Sequence, residues 1–218
     1  ALFLPSSKRP RAEMESELLG YIDQLGTPWQ ELVSDVLLAP AFYHRFVEAP
    51  AARGMHHAFV GGLLEHTLSM ARLSLILADH YPYVNRDLLL AGALLHDAGK
   101  ALEYEIANGI SFSDDGRLVG HIVRVVAMVE RAAAERPEID EEQLRQLVHL
   151  LVSHHGTLEW GSPVVPKTLE AILLHQIDLL DSRVQGFFDH LQANYGEDGW
   201  SVRASHMFNT ELRRPEGF

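Results

Sequence analysis

The stretch LLHDAGK, residues 94–100, puts an imidazole and a carboxylate side by side, His96 and Asp97, at the end of an apolar run. Adjacent helical residues point about 100° apart, so such a pair can clasp an ion from one side of a cleft. Lys100 lies four positions after His96 and returns to the same helix face. There it can neutralise a phosphate or a developing oxyanion. The dipeptide alone is common. Its setting is specific, because an apolar helix closed by Gly99 and Lys100 would otherwise bury two polar groups. His66 sits on a second apolar stretch, GGLLEHTLSMA. A lone histidine there is better read as a core residue satisfied by one carbonyl. Gly61 and Gly62 just before it permit close helix packing, and the His-Asp pair follows 30 residues later, which tips the reading toward a ligand. A third apolar stretch, AILLHQIDLLDS, carries Asp178 and, one turn on, Asp181, and a buried carboxylate is costly unless paired or metal-bound. His121 in GRLVGHIVR and the pair His154-His155 in LVSHHGT extend the set. A histidine pair at a helix end is by itself as well explained by solvent exposure or capping. Beside the His-Asp pair it suits a second ion. Two ions about 3.5–4 Å apart, bridged by a carboxylate, are suited to phosphodiester hydrolysis.

Composition narrows the chemistry. The 218 residues include no cysteine, so disulfides and thiolate metal sites are excluded and any metal is held by imidazole and carboxylate. Such ligands suit Mn, Fe, Co, Ni or Zn better than Mg. The formal charge of −12 counts against a broad nucleic-acid surface, though bound divalent cations can reverse the field inside a cleft. No run of about 18 apolar residues suggests a membrane span, and the start, ALFLPSSKRP, lacks the long apolar stretch of a secretory signal. The expected location is cytoplasmic.

The elements that must position these residues are helices. Leu18, Leu19, Ile22 and Leu25 follow a three-four spacing that stops near Gly26, and Pro28 can start a helix with Trp29, Leu32, Val33 and Val36 on one side. Pro40 and Pro50 bracket a short one. Residues 58–80 read as one long buried helix, and 86–98 as another, apolar nearly all round and ended by Gly99. EIANGISFSDDGRLV, with Asn-Gly and Asp-Gly, reads as a loop or small β-hairpin within 103–119. Helices resume at 120–135, at 140–154 with Asp140 as N-cap and Gln143 three positions on, and at 168–194. The expectation is an all-α fold, a bundle of about seven to nine helices. It divides into an arm over 1–11, one domain over 12–195 and a polar tail over 196–218.

The order His66, His96-Asp97, Asp178 resembles the H…HD…D signature of HD-superfamily phosphohydrolases. That likeness favours Asp178 over Asp181. The insertion of His121 and His154-His155 resembles the binuclear branch of the superfamily, which includes cyclic-dinucleotide phosphodiesterases. It implies one ion on His66, His96, Asp97 and Asp178, and another on Asp97, His121, His154 and His155, with Asp97 bridging. A closer resemblance is to the HD domain of YhaM-type bacterial 3′–5′ exoribonucleases. It is carried by HHAFVGGLLEHTLSMA (56–71), LLHDAGKALEY (94–104), GRLVGHI (116–122) and SHHGTLEWGSPVVPKTLEAILLHQIDLLDS (153–182). The segment GSP-x-x-P-x-T-x-E-A is far more specific than the His-Asp pair. The family joins an N-terminal OB-fold to this domain. FLPSSKRP resembles the linker after it, so the 218 residues read as the HD part without that module.

The resemblance implies hydrolysis of single-stranded RNA from the 3′ end, releasing nucleoside 5′-monophosphates by attack of metal-bound hydroxide. Manganese is the favoured ion among one or two divalent metals, with Asp97 and Lys100 catalytic. The alternative is an HD phosphohydrolase of small nucleotides or cyclic dinucleotides. Implied partners are the RNA or nucleotide substrate and no membrane, with a homo-oligomer left open. Arg124, His57 and Lys167 are candidate substrate contacts, each nearly as well explained by a solvated or capping role. Trp160 could stack a base or cover the core. For His175 a packed core position is the better reading than a partner of Asp178.

Overall fold

The computed structural model describes residues 5–53, 58–107 and 109–217. Among them are ten α-helical segments. These are α1 (Arg11–Ile22), α2 (Trp29–Leu37), α3 (Pro40–Glu48), α4 (Gly62–His80), α5 (Arg86–Leu95), α6 (Lys100–Glu103), α7 (Asp114–Leu118), α8 (His121–Ala134), α9 (Glu141–Ser153) and α10 (Leu169–Ala193). Eight are longer helices, and α6 and α7 are single turns of four and five residues. The expected all-α bundle is therefore present. So is the hairpin: β1 (Tyr104–Ile106) pairs antiparallel with β2 (Ile110–Phe112), Tyr104 opposite Phe112.

Helix α5 is the axis of the molecule. Every residue from Leu88 to Leu95 is buried. It packs against α4 most extensively, and also against α2, α9 and α10. Its start is fixed by Asn85, whose side chain accepts from the Leu88 amide. A Leu→Ala change in such a position costs about 2–5 kcal/mol, which makes α5 a rigid mount for whatever follows it. α9 begins with the expected capping box, in which Asp140 accepts from the Gln143 amide and the Gln143 side chain accepts from Asp140. Thr168 caps α10 by accepting from Ala171.

Two boundaries differ from the sequence reading. α4 starts at Gly62 rather than 58, because Gly61 adopts a left-handed φ of 81° and Val60 instead bridges Ser6. α5 stops at Leu95, and His96–Gly99 form a turn. Gly99 is not a left-handed helix stop, since its φ is −58°. A Cβ there would sit 2.1 Å from the carbonyl oxygen of His121, so its role is to let this turn meet the start of α8. The basic arm is neutralised locally: Arg9 pairs with Glu17, and Arg11 with Glu15 and Glu48. The polar tail folds back on α10, where Phe208 meets Phe187 and His190 bonds the Arg203 carbonyl. No helix among the described residues is long and apolar enough to cross a membrane.

Candidate metal centre

The five helix ends and faces around α5 bring the candidate ligands together. His66 lies in the second turn of α4, His96 and Asp97 in the turn after α5, and His121 at the first position of α8. His154 and His155 follow α9, and Asp178 and Asp181 lie mid-way along α10. His66, His96, Asp97 and His154 are all at most 2% exposed. Among the described residues, two groups have ligand atoms close enough to hold an ion: His66, His96 and Asp178, and His121, His154 and His155.

The imidazoles are aimed by one rule. Each places its Nδ1 against an acceptor: His66 on Asp181 Oδ2 (2.8 Å), His96 on the Ala93 carbonyl (3.0 Å), His121 on Glu103 Oε2 (2.5 Å), His154 on the Leu151 carbonyl (2.7 Å) and His155 on the Trp160 carbonyl (2.9 Å). An oxygen acceptor requires the proton on Nδ1, which turns each Nε2 toward the centre, where a neutral ring offers its lone pair. Those nitrogens converge. His66 Nε2 is 3.3 Å from His96 Nε2 and 3.4 Å from Asp178 Oδ1.

Asp97 stands between the two groups. Its Oδ2 lies 3.5 Å from His96 Nε2 and 3.7 Å from His66 Nε2. Its Oδ1 lies 3.5 Å from both His121 Nε2 and His154 Nε2. Among the described residues, Asp97 Oδ1, His121 Nε2 and His154 Nε2 are buried and make no hydrogen bond. Buried polar atoms left unsatisfied cost free energy, and three converging on one point need an explanation. A cation supplies it: ligands at about 2.1 Å from one ion lie roughly 3.0–3.4 Å apart, close to the spacings found. The donor set, imidazole and carboxylate with no thiolate, fits a divalent metal of the borderline type.

Electrostatics agree with that fit. Burial opposes charge on Asp97, but Lys100 and the surrounding imidazoles outweigh it and hold the carboxyl well below its usual range. Lys100 donates to Asp97 Oδ2 at 2.6 Å. Burial lowers the His66 value, yet Asp178 and Asp181 prevail and raise it to about 10. Burial dominates at His96 and His155, which fall to about 4. Burial also opposes charge on Glu103, but its hydrogen bond from His121 wins and lowers it.

Two residues were not singled out for their actual role. Asp181 had appeared only as a rival of Asp178, but it accepts from His66 Nδ1 and from the Ser69 hydroxyl, and so orients His66. Its spacing of three from Asp178 was the available signal. Glu103 accepts from both the ring and the backbone amide of His121, 18 residues away, and nothing in the sequence marks it.

A cleft of about 440 Å³ opens on this centre. Lys100, Glu103, His121, His155 and Asp178 line it, together with Trp160 and His175. His175 is thus a cleft residue rather than a core one, and its Nδ1 donates to the His154 carbonyl. Arg124 is not on the lining; its guanidinium is held by Asp115. Lys167 is also absent from the lining, and its amide donates to His149. His57 lies outside the described residues.

The HD domain family model matches residues 63–183. The chain is 41% identical over 182 residues to the 3′-5′ exoribonuclease YhaM of Listeria welshimeri, covering 84% of this chain and 58% of that protein. It is 42% identical over 180 residues to YhaM of Listeria monocytogenes (83% and 57%), and 40% identical over 182 residues to YhaM of Bacillus subtilis (84% and 57%). The chain thus spans somewhat over half the length of these relatives. No solved structure gave a significant match.

Proposed function

The chain belongs to the HD domain family, and on that footing we propose that it hydrolyses single-stranded RNA from the 3′ end, releasing nucleoside 5′-monophosphates. One observation carries the chemical part: Asp97 turns one oxygen toward each of two imidazole groups, and three buried ligand atoms lack partners. The choice of substrate draws on the YhaM relatives. His66, His96, Asp97 and Asp178 would hold one divalent ion, and Asp97, His121, His154 and His155 a second. Manganese is the preferred ion. When bound, such a pair supplies Lewis acidity, activating water near neutral pH and offsetting charge that gathers on phosphorus.

The protein's own groups do the rest. The Nδ1 hydrogen bonds fix five imidazoles in direction, Nε2 toward the centre, before substrate arrives. His66, raised to about 10 by Asp178 and Asp181 against its burial, would give up its Nε2 proton when an ion binds. Lys100, half-buried on the cleft lining beside Asp97, would place a cation beside a non-bridging phosphate oxygen. No side chain need form a covalent intermediate.

The test is hydrolysis of a 5′-labelled single-stranded RNA with Mn²⁺, with and without EDTA. A shortening ladder that EDTA abolishes is expected. A second reading, hydrolysis of small nucleotides or cyclic dinucleotides, is favoured by the cleft volume, which suits one small ligand. Intact RNA beside metal-dependent turnover of such a nucleotide would replace the first reading with the second.

A further inference from the structure

Trp160 sits in a loop tied down by hydrogen bonds, yet the residue remains 53% exposed and lines the cleft. The loop is tied at both ends. The Trp160 amide donates to the Thr157 carbonyl at 3.2 Å, and its own carbonyl accepts from His155 Nδ1 at 2.9 Å. Ser162 closes the loop by donating to the Val152 and Val164 carbonyls. Behind it, Gly156 has a φ of 82° and faces the His175 ring so closely that a Cβ would lie 2.1 Å from it. His175 in turn stands 6.1 Å from the indole, centroid to centroid. The same residue therefore aims a candidate metal ligand with its backbone and offers an aromatic face with its side chain.

We propose that Trp160, backed by His175, is the platform on which the nucleobase of the nucleotide being cleaved stacks, at a fixed distance from the reacting phosphate. The proposal rests on the phosphodiester reading given above. Stacking on an indole accepts any base, so the platform grips the nucleotide without reading its sequence. Exposure decides against a core-covering role for this tryptophan.

The test compares binding of uridine 5′-monophosphate and ribose 5-phosphate to the Mn²⁺-loaded protein by calorimetry. Ribose 5-phosphate carries a free anomeric hydroxyl in place of the base, so the change in preference on Trp160→Ala, rather than the preference alone, isolates stacking. Wild type should bind the uridine compound about tenfold tighter, within the range stacking supplies per base. Trp160→Ala should erase that preference while leaving ribose 5-phosphate affinity and metal content unchanged, and Trp160→Phe should retain most of it. A wild type without preference, a Trp160→Ala protein that keeps it, or equal weakening of both ligands would overturn the proposal. These outcomes are independent of the RNA ladder, so failure of the exoribonuclease reading is seen separately.

Discussion

The two halves of the centre are built differently. His66, His96 and Asp178 project from α4, the end of α5 and α10, helices that share the main core, and His66 and His96 are at most 1% exposed. His121, His154 and His155 stand at a helix start and after a helix end; His121 and His155 line the open cleft, as Asp178 of the first half does, while His154 is fully buried. The first half is aimed partly by a helix carboxylate, Asp181, and the second partly by Glu103 and a loop carbonyl at Trp160. On the proposed two-ion reading, the difference would divide the labour: a core-mounted position for the more firmly held ion, and a cleft-side position that would meet substrate and exchange more freely. Asp97 is the one residue common to both.

The largest effect should follow from removing that shared residue. Asp97→Asn keeps the shape but weakens the anionic link, and should lower hydrolysis by at least about 10³-fold with loss of bound metal. Circular dichroism should show the helices retained. An active Asp97→Asn protein would break the claim that one carboxylate serves both halves.

The orienting carboxylates should separate the halves by a smaller amount. Asp181→Asn and Glu103→Gln each should weaken metal binding by about 10–100-fold, as is usual when a partner of a ligating histidine is lost. The first change should act on the tighter binding step and the second on the weaker one. Competition with a chromogenic chelator measures both steps. Equal effects of the two variants on both steps would erase the distinction.

The gentlest probe is pH. In the metal-free protein His66 is raised to about 10 because Asp178 and Asp181 outweigh its burial. A raised histidine contributes stability that is fully present below its unfolded value of about 6.5 and is lost as pH climbs through the folded value. Burial disfavours charge on Asp97, but Lys100 and the imidazoles hold its carboxyl low, so its contribution is present above about 3.9 and is lost as pH falls through the folded value. Urea midpoints in EDTA should therefore decline both from pH 7 toward 10 and from pH 5 toward 3. Filling the core-mounted position should expel the His66 proton, so its affinity should rise with pH near neutrality. His155, lowered to about 4 by burial, is already neutral there and adds no such slope to the cleft-side half. Identical pH slopes for the two steps would contradict the contrast.

Much of this was legible from the residues. The helices were visible because α5 and α9 carry strong apolar patterns and α9 a capping box. The candidate ligands were visible because imidazoles and carboxylates on apolar helices demand partners. What the chain order hid was direction. Nothing local distinguishes Asp178 from Asp181, which are three residues apart on one helix; only the fold decides which faces the centre and which stands behind His66. Glu103 was hidden because its partner arrives from a separate helix. Arg124 looked like a phosphate contact because its partner, Asp115, lies across a turn that spacing does not reveal.

Metal content per chain, measured on purified protein loaded with Mn²⁺ and freed of excess ion, addresses the two-position claim most directly. Wild type is expected to retain two ions and His121→Ala one, with the remaining ion bound as firmly as the tighter of the original pair. One ion in wild type, or an unchanged count in His121→Ala, would contradict a centre built from two groups around Asp97.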